Sequence, residues 1–181
     1  MTEIDFRILD FIREKLSNGF FDFVMPKLTA IGNVGFIWIF IAAAMVISRK
    51  YRRNGLELAA GLVGCALVGN LLLKNLIARQ RPCWINDTIE LLIAVPKDYS
   101  FPSGHTMASF AAAAIILHAN KKLGIAAYIL AAVIAFSRLY LYVHFPTDVL
   151  AGAVIGTLIG IAVCFFSKKI FPQKELHDTE K

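Results

Sequence analysis

Five long apolar runs, at 28–48, 55–78, 103–120, 123–143 and 146–167, leave this chain little choice of fold. A membrane-crossing helix needs about 20 mostly apolar residues. In hydrocarbon every backbone N–H and C=O must find a partner, and a helix satisfies them within the segment. The first run carries no charge. The second has only Glu57 near its start and Lys74 near its end, the fourth is interrupted only by Arg138, and the fifth holds Asp148 in its first turn. Of the 181 residues, 57% are hydrophobic and 18% charged, whereas soluble domains run at about 45–50% and about 25%. The expected fold is an all-α integral membrane protein, a bundle of five transmembrane helices.

Residues 4–16 follow a different pattern. Ile4, Ile8, Phe11 and Ile12 fall on one helical face, and Asp5, Arg7, Asp10, Arg13 and Glu14 occupy the remainder. This predicts an amphipathic helix lying in the membrane interface, continuing through 19–27 with a bend at Pro26. A sixth crossing made from 4–24 is the alternative, and it would bury too many charges. Three parts are therefore expected: an N-terminal amphipathic segment (1–27), a transmembrane domain (28–170) and a polar cytoplasmic tail (171–181). The charged start gives no sign of a signal peptide.

Loop charge sets the orientation. Arg49, Lys50, Arg52 and Arg53 follow the first run, Lys121 and Lys122 the third, and Lys168, Lys169 and Lys174 the fifth. Five alternating helices put all three clusters on one face, which the positive-inside rule makes cytoplasmic. The net charge of +6 is thus assigned to orientation, and no nucleic-acid partner is expected. Cys65, Cys83 and Cys164 have neither zinc nor redox spacing and read as buried thiols. Gly152, Gly156 and Gly160 recur every four residues, a stripe that lets a neighbouring helix approach closely.

Three polar stretches remain at the outward ends: Lys74-x6-Arg81-Pro82, Pro102-Ser103-Gly104-His105, and Ser137-Arg138-x5-His144-x3-Asp148. On a continuing helix Lys74 and Arg81 would share one face about two turns apart, with Pro82 near its end. Snorkelling cations would explain that pair alone. Pro102 and Ser103 suit a helix start, whose free N–H groups bind anions, and Gly104 lets an anion come close. A capping role covers Ser103 but not His105, which can pass a proton near neutral pH. Asp148, four residues after His144, can reach one ring nitrogen and leave the other free to attack. His118, with no carboxylate or arginine near it in sequence, lacks such a setting. Three cations, two histidines and one carboxylate suit the binding and transfer of a phosphate.

In this order and spacing the three stretches resemble the signature of the type-2 phosphatidic acid phosphatase superfamily, K-x6-RP, PSGH and SR-x5-H-x3-D, with every position filled. The resemblance covers roughly residues 20–170. It implies a membrane phosphatase acting on a lipid phosphate or diphosphate through a phosphohistidine. His144 would attack phosphorus, Asp148 would orient it, and His105 would protonate the departing oxygen. Lys74, Arg81 and Arg138 would hold the phosphate oxygens, aided by Ser103 and Gly104. No cofactor and no metal is expected, and activity should survive excess chelator. The resemblance extends to vanadate-binding haloperoxidases, so vanadate is an expected inhibitor.

A site at the outer end of a bundle meets lipid headgroups, so the expected location is the plasma membrane, with the site on the extracytoplasmic side. The resemblance implies undecaprenyl diphosphate, phosphatidic acid or phosphatidylglycerophosphate as candidate substrates; outward orientation and small size favour the first. Residues 83–100, with Trp84, Ile89, Leu91, Leu92 and Ile93, would either line the headgroup entrance or lie on the interface. Two other readings stand beside this one: a phosphotransferase that passes phosphate to a lipid or sugar alcohol, and a non-catalytic lipid-phosphate carrier or scaffold. Oligomeric state is not legible.

Overall fold

The computed structural model describes residues 2–170, without the side chains of Thr2 and Val34. The tail expected at 171–181 lies outside the described residues. Every regular element among the described residues is helical. Helix α1 (Thr2–Leu16) is followed by α2 (Gly19–Ile31), whose start is capped by Asn18 accepting from the N–H groups of Phe20 and Phe21. Pro26 lies inside α2, so the expected boundary at 27 falls within a helix.

The run at 28–48 does not form one helix. A short turn at Asn33–Gly35 separates α2 from α3 (Phe36–Ile47), and the two axes differ by 46°. The segment Gly-Asn-Val-Gly supplies the break. Glycine and asparagine are weak helix formers, and Gly35 adopts the left-handed conformation, φ 72°, that glycine reaches without strain. Apolar content alone does not register such a break.

Helix α4 (Arg52–Cys65) widens into a π-helical stretch, Ala66–Leu73, and ends as α5 (Lys74–Ile77). Ala78 then takes a left-handed conformation, φ 47°, and its N–H closes the helix on the Lys74 carbonyl at 2.9 Å. The continuous helix expected from Lys74 to Arg81 is therefore interrupted four residues before Pro82. The chain proceeds through the short α6 (Pro82–Ile85) to α7 (Gly104–Ala119), α8 (Lys121–Tyr140) and α9 (Pro146–Ile170).

Arg52–Ile85, α8 and α9 are long and apolar enough to cross a membrane, and the bent pair α2–α3 adds a fourth such passage. Helix α7, at 16 residues, is short for a crossing. It sits centrally, packed against α4, α8 and α9, so its surroundings are mainly protein. The outer surfaces are apolar instead: Phe36 and Phe40 on α3, Ile125 and Ile129 on α8, and Leu150, Val154, Leu158 and Phe165 on α9 are exposed. Apolar surface of this extent suits lipid, not water.

The glycine stripe fixes α9 on α7. A Cβ at Gly152, Gly156 or Gly160 would come within 2.8, 2.1 and 2.7 Å of the carbonyl oxygens of Ser103, Met107 and Ala111. This close seam brings the first turn of α9 against that of α7, where the Ser103 N–H donates to the Asp148 carbonyl at 3.1 Å. At the other end Arg53 meets Ser167 and Asn120 meets Tyr51, so the basic residues at 49–53, 121–122 and 168–169 gather at the end remote from the polar stretches.

Candidate active site

Four chain segments converge at that polar end: the break between α2 and α3, the α5–α6 connection, the start of α7, and the 141–145 turn between α8 and α9. They enclose a cavity of about 610 Å³ lined by Lys74, Arg81, Gly104, His105, Arg138 and His144, among others. Lys74, Arg81, Arg138, His144 and Asp148 are all buried. Burying this many charged groups is unfavourable unless each finds partners, so the partners determine the chemistry.

Arg81 is the most fully committed cation. Its Nη1 donates to the Val143 carbonyl at 2.6 Å and to His144 Nε2 at 3.1 Å, and its Nη2 donates to Asp98 Oδ1 at 2.7 Å. Arginine can only donate, so Nε2 of His144 is the accepting nitrogen and the ring proton resides on Nδ1. That Nδ1 faces Asp148 Oδ2 at 3.8 Å, with Ser100 Oγ at 3.4 Å. Asp148 Oδ2 accepts from the Ser100 hydroxyl and, at 2.9 Å, from the Phe145 N–H. The direct carboxylate–imidazole contact expected from the spacing is thus longer than a hydrogen bond, and Ser100 sits beside both groups. Burial, reinforced by Arg81, Arg138 and Lys74, pushes the His144 pKa well below its ordinary value. The result is a neutral imidazole with its lone pair beside a guanidinium on the cavity wall.

The remaining cations are less saturated. Arg138 Nη1 donates to Thr29 at 2.5 Å, while its buried Nε has no hydrogen-bond partner among the described residues. Lys74 pairs with Asp98. His105 Nε2 meets Asn33 Oδ1 at 2.9 Å, a contact the break at 33–35 makes possible. Gly104 faces the cavity too: a Cβ there would stand 3.2 Å from Asn70 Oδ1 and 4.0 Å from Lys74 Nζ. Ser103 departs from expectation. It is fully buried, does not line the cavity, caps nothing with its side chain, and accepts from the Thr106 hydroxyl at 2.9 Å. Among the described residues no three His, Cys, Asp or Glu side chains cluster as a metal site.

The model of the PAP2 superfamily matches residues 54–171. The chain belongs to the PAP2 superfamily. An undecaprenyl-diphosphatase of Sulfolobus acidocaldarius is 34% identical over 125 residues, 68% of this chain and 60% of that protein. An undecaprenyl-diphosphatase of Bacillus subtilis is 31% identical over 160 residues, 88% of this chain and 81% of that protein. The aligned part therefore spans less than two thirds of the first relative. The crystal structure of a transmembrane PAP2-type phosphatidylglycerolphosphate phosphatase from Bacillus subtilis superposes with a TM-score of 0.78 at 29% identity, covering 96% of this chain and 89% of that one. The PAP2 relatives are lipid phosphatases, and this chain is an all-helical membrane protein of that family.

Several residues of this PAP2 site fall outside the three motifs. Asp98 bridges Lys74 and Arg81 from the 86–103 loop, although its side chain is 55% exposed. Burial works against its charge, but the two cations outweigh it and hold the carboxyl well below the usual carboxylate range. Ser100, Asn33, Thr29 and Arg79 also reach motif residues. Only Arg79 left a trace in the sequence, as a third basic residue inside Lys74-x6-Arg81. The loop itself forms one cavity wall through Ile93, Ala94, Val95, Pro96 and Asp98, and Trp84 Nε1 ties it down at the Pro96 carbonyl, 3.1 Å away.

Proposed function

We propose that this PAP2 chain removes the terminal phosphate of a lipid diphosphate or phosphate through a phosphohistidine on His144, with undecaprenyl diphosphate the favoured substrate. The observation that carries this reading is the acceptor nitrogen of His144 held beside Arg81 on a cavity wall that also presents Lys74 and Arg138. The lone pair on Nε2 attacks phosphorus as the bond to the lipid oxygen breaks, and the cations stabilise the charge spread over the transferring group. His105 gives its proton to the departing oxygen. Water then attacks phosphorus and gives its proton to His105 as the phosphorus–nitrogen bond breaks, which returns the electron pair to His144 Nε2 and releases inorganic phosphate. Asp148 and Ser100 keep the Nδ1 side of His144 oriented throughout. The Nε N–H of Arg138, without a partner among the described residues, suits a phosphate oxygen.

Two relatives named undecaprenyl-diphosphatases support the substrate choice, and the basic loop ends support a site on the extracytoplasmic side of the plasma membrane. The test is phosphate release by purified protein in detergent over a panel of undecaprenyl diphosphate, phosphatidylglycerophosphate and phosphatidic acid. His144→Ala is expected to abolish turnover and acid-labile phosphate on the protein, and Asp148→Asn to lower kcat by on the order of 10²–10⁴-fold. Normal turnover in His144→Ala would reject the mechanism. Equal rates on all three lipids would reject the substrate preference.

A further inference from the structure

Beneath the His144–Asp148 pair lies a charge relay that begins on the N-terminal helix. Arg79 donates through Nη1 to Asp148 Oδ1 at 2.5 Å and through Nη2 to Asp5 Oδ2 at 2.8 Å. Asp5 also accepts from the Thr147 N–H at 3.1 Å and the Thr147 hydroxyl at 2.9 Å. Asp5 and Asp148 are 2% and 0% exposed. Two buried carboxylates therefore share one guanidinium, and the site-facing one is also fixed by Ser100 and the Phe145 N–H. The Arg79 guanidinium lies over the Phe145 ring, 4.1 Å from its centroid, and Phe6 of α1 meets the same ring edge-on at 5.1 Å. Helix α1 thus grips the turn that carries His144 both electrostatically, through Asp5, and by packing, through Phe6.

We propose that Arg79 is a positioning residue for Asp148 and that Asp5 of helix α1 holds Arg79 in place, so that the docked N-terminal helix is part of the catalytic scaffold. The inference rests on the roles given above to His144 and Asp148. Arg79 alone beside Asp148 would offset the charge that the imidazole needs as it turns cationic during attack. Asp5 supplies the balancing negative charge. A planar fork with one nitrogen for each carboxylate also defines the orientation of Asp148, which lysine cannot reproduce. A purely structural tie between α1 and the turn would have the same geometry but would act on stability, not on kcat.

The experiment uses the full chain in detergent micelles, with kcat, KM and melting temperature measured on one lipid diphosphate. Arg79→Gln is expected to lower kcat about 10–100-fold, by analogy with the loss of outer partners that orient metal-binding histidines and carboxylates, with KM changed less than about twofold. Arg79→Lys should recover only part of the loss. Asp5→Asn should lower kcat in the same direction but less, and Asp5→Glu should restore it. In the Asp5→Asn background, Arg79→Gln should cost less than it does alone. Glu3→Gln, on the exposed face of the same helix, should leave kcat unchanged. Parental kcat in Arg79→Gln, or a fall in melting temperature with kcat intact in Asp5→Asn, would overturn the relay. Asp5→Asn keeps the test decisive if Arg79→Gln does not fold. Inactive His144→Ala with parental kcat in Arg79→Gln would reject the relay alone, whereas active His144→Ala would reject the mechanism beneath it.

Discussion

Arg81 has no lone pair to offer, and this one chemical fact dictates where the proton on His144 resides. With the guanidinium donating to Nε2 and burial disfavouring the imidazolium, the proposed nucleophile takes up a proton only below the ordinary histidine range. Attack requires that form, so the acid limb of kcat/KM, which reports the free enzyme, is expected below the ordinary histidine value of about 6.5. The linked effect on stability has a definite sign. Below about pH 6.5 the unfolded chain takes up a proton at this position that the folded chain refuses, so acid weakens the fold. A pH–rate profile checks the prediction, and an acid limb at or above 6.5 would contradict it. The motif residues were legible because their spacing is specific. Asp98, Ser100 and Asp5 were not: each is a common polar residue whose partners lie far along the chain, and nothing local marks it.

At the scale of elements, the apolar runs announced the spans, but hydropathy does not register where a helix bends or stops. The break at Asn33–Gly35 and the left-handed Ala78 each redirect the chain towards the site, one presenting Asn33 to His105 and the other turning Arg79 and Arg81 inward. The glycine stripe of α9 was legible as a packing face, though its partner was not. That partner is the backbone of α7, and the seam holds the first turns of α7 and α9 together. Gly156→Leu is therefore expected to be severe. Its Cβ would lie 2.1 Å from the Met107 carbonyl oxygen, a backbone atom that cannot rotate away. Forcing such groups into a packed interior costs about 1–3 kcal/mol, and here the displacement would also separate Ser103 from Asp148. Both a lowered melting temperature and a fall in kcat should follow. Unchanged values for both would show that the seam tolerates separation.

On the scale of the whole molecule, charge divides the chain into two unlike ends. At one end Lys74, Arg81 and Arg138 are buried around a cavity, with the carboxylates of Asp98, Asp148 and Asp5 beside it. The other carries exposed basic loops that contact one another through Arg53, Ser167, Tyr51 and Asn120. Short loops rich in Lys and Arg are retained on the cytoplasmic side during insertion, and Arg49, Lys50, Arg52, Arg53, Lys121 and Lys122 lie in the two loops of the basic end. The cavity end should therefore face outward. Thr88 lies exposed in the loop at the cavity end and Lys50 exposed at the basic end, while the native cysteines are all free and buried, so an introduced thiol would dominate labelling. A membrane-impermeant maleimide applied to intact cells is expected to label Thr88→Cys at once and Lys50→Cys only after permeabilisation. The opposite pattern would place the cavity on the cytoplasmic side, where it would meet lipid phosphates of the inner leaflet.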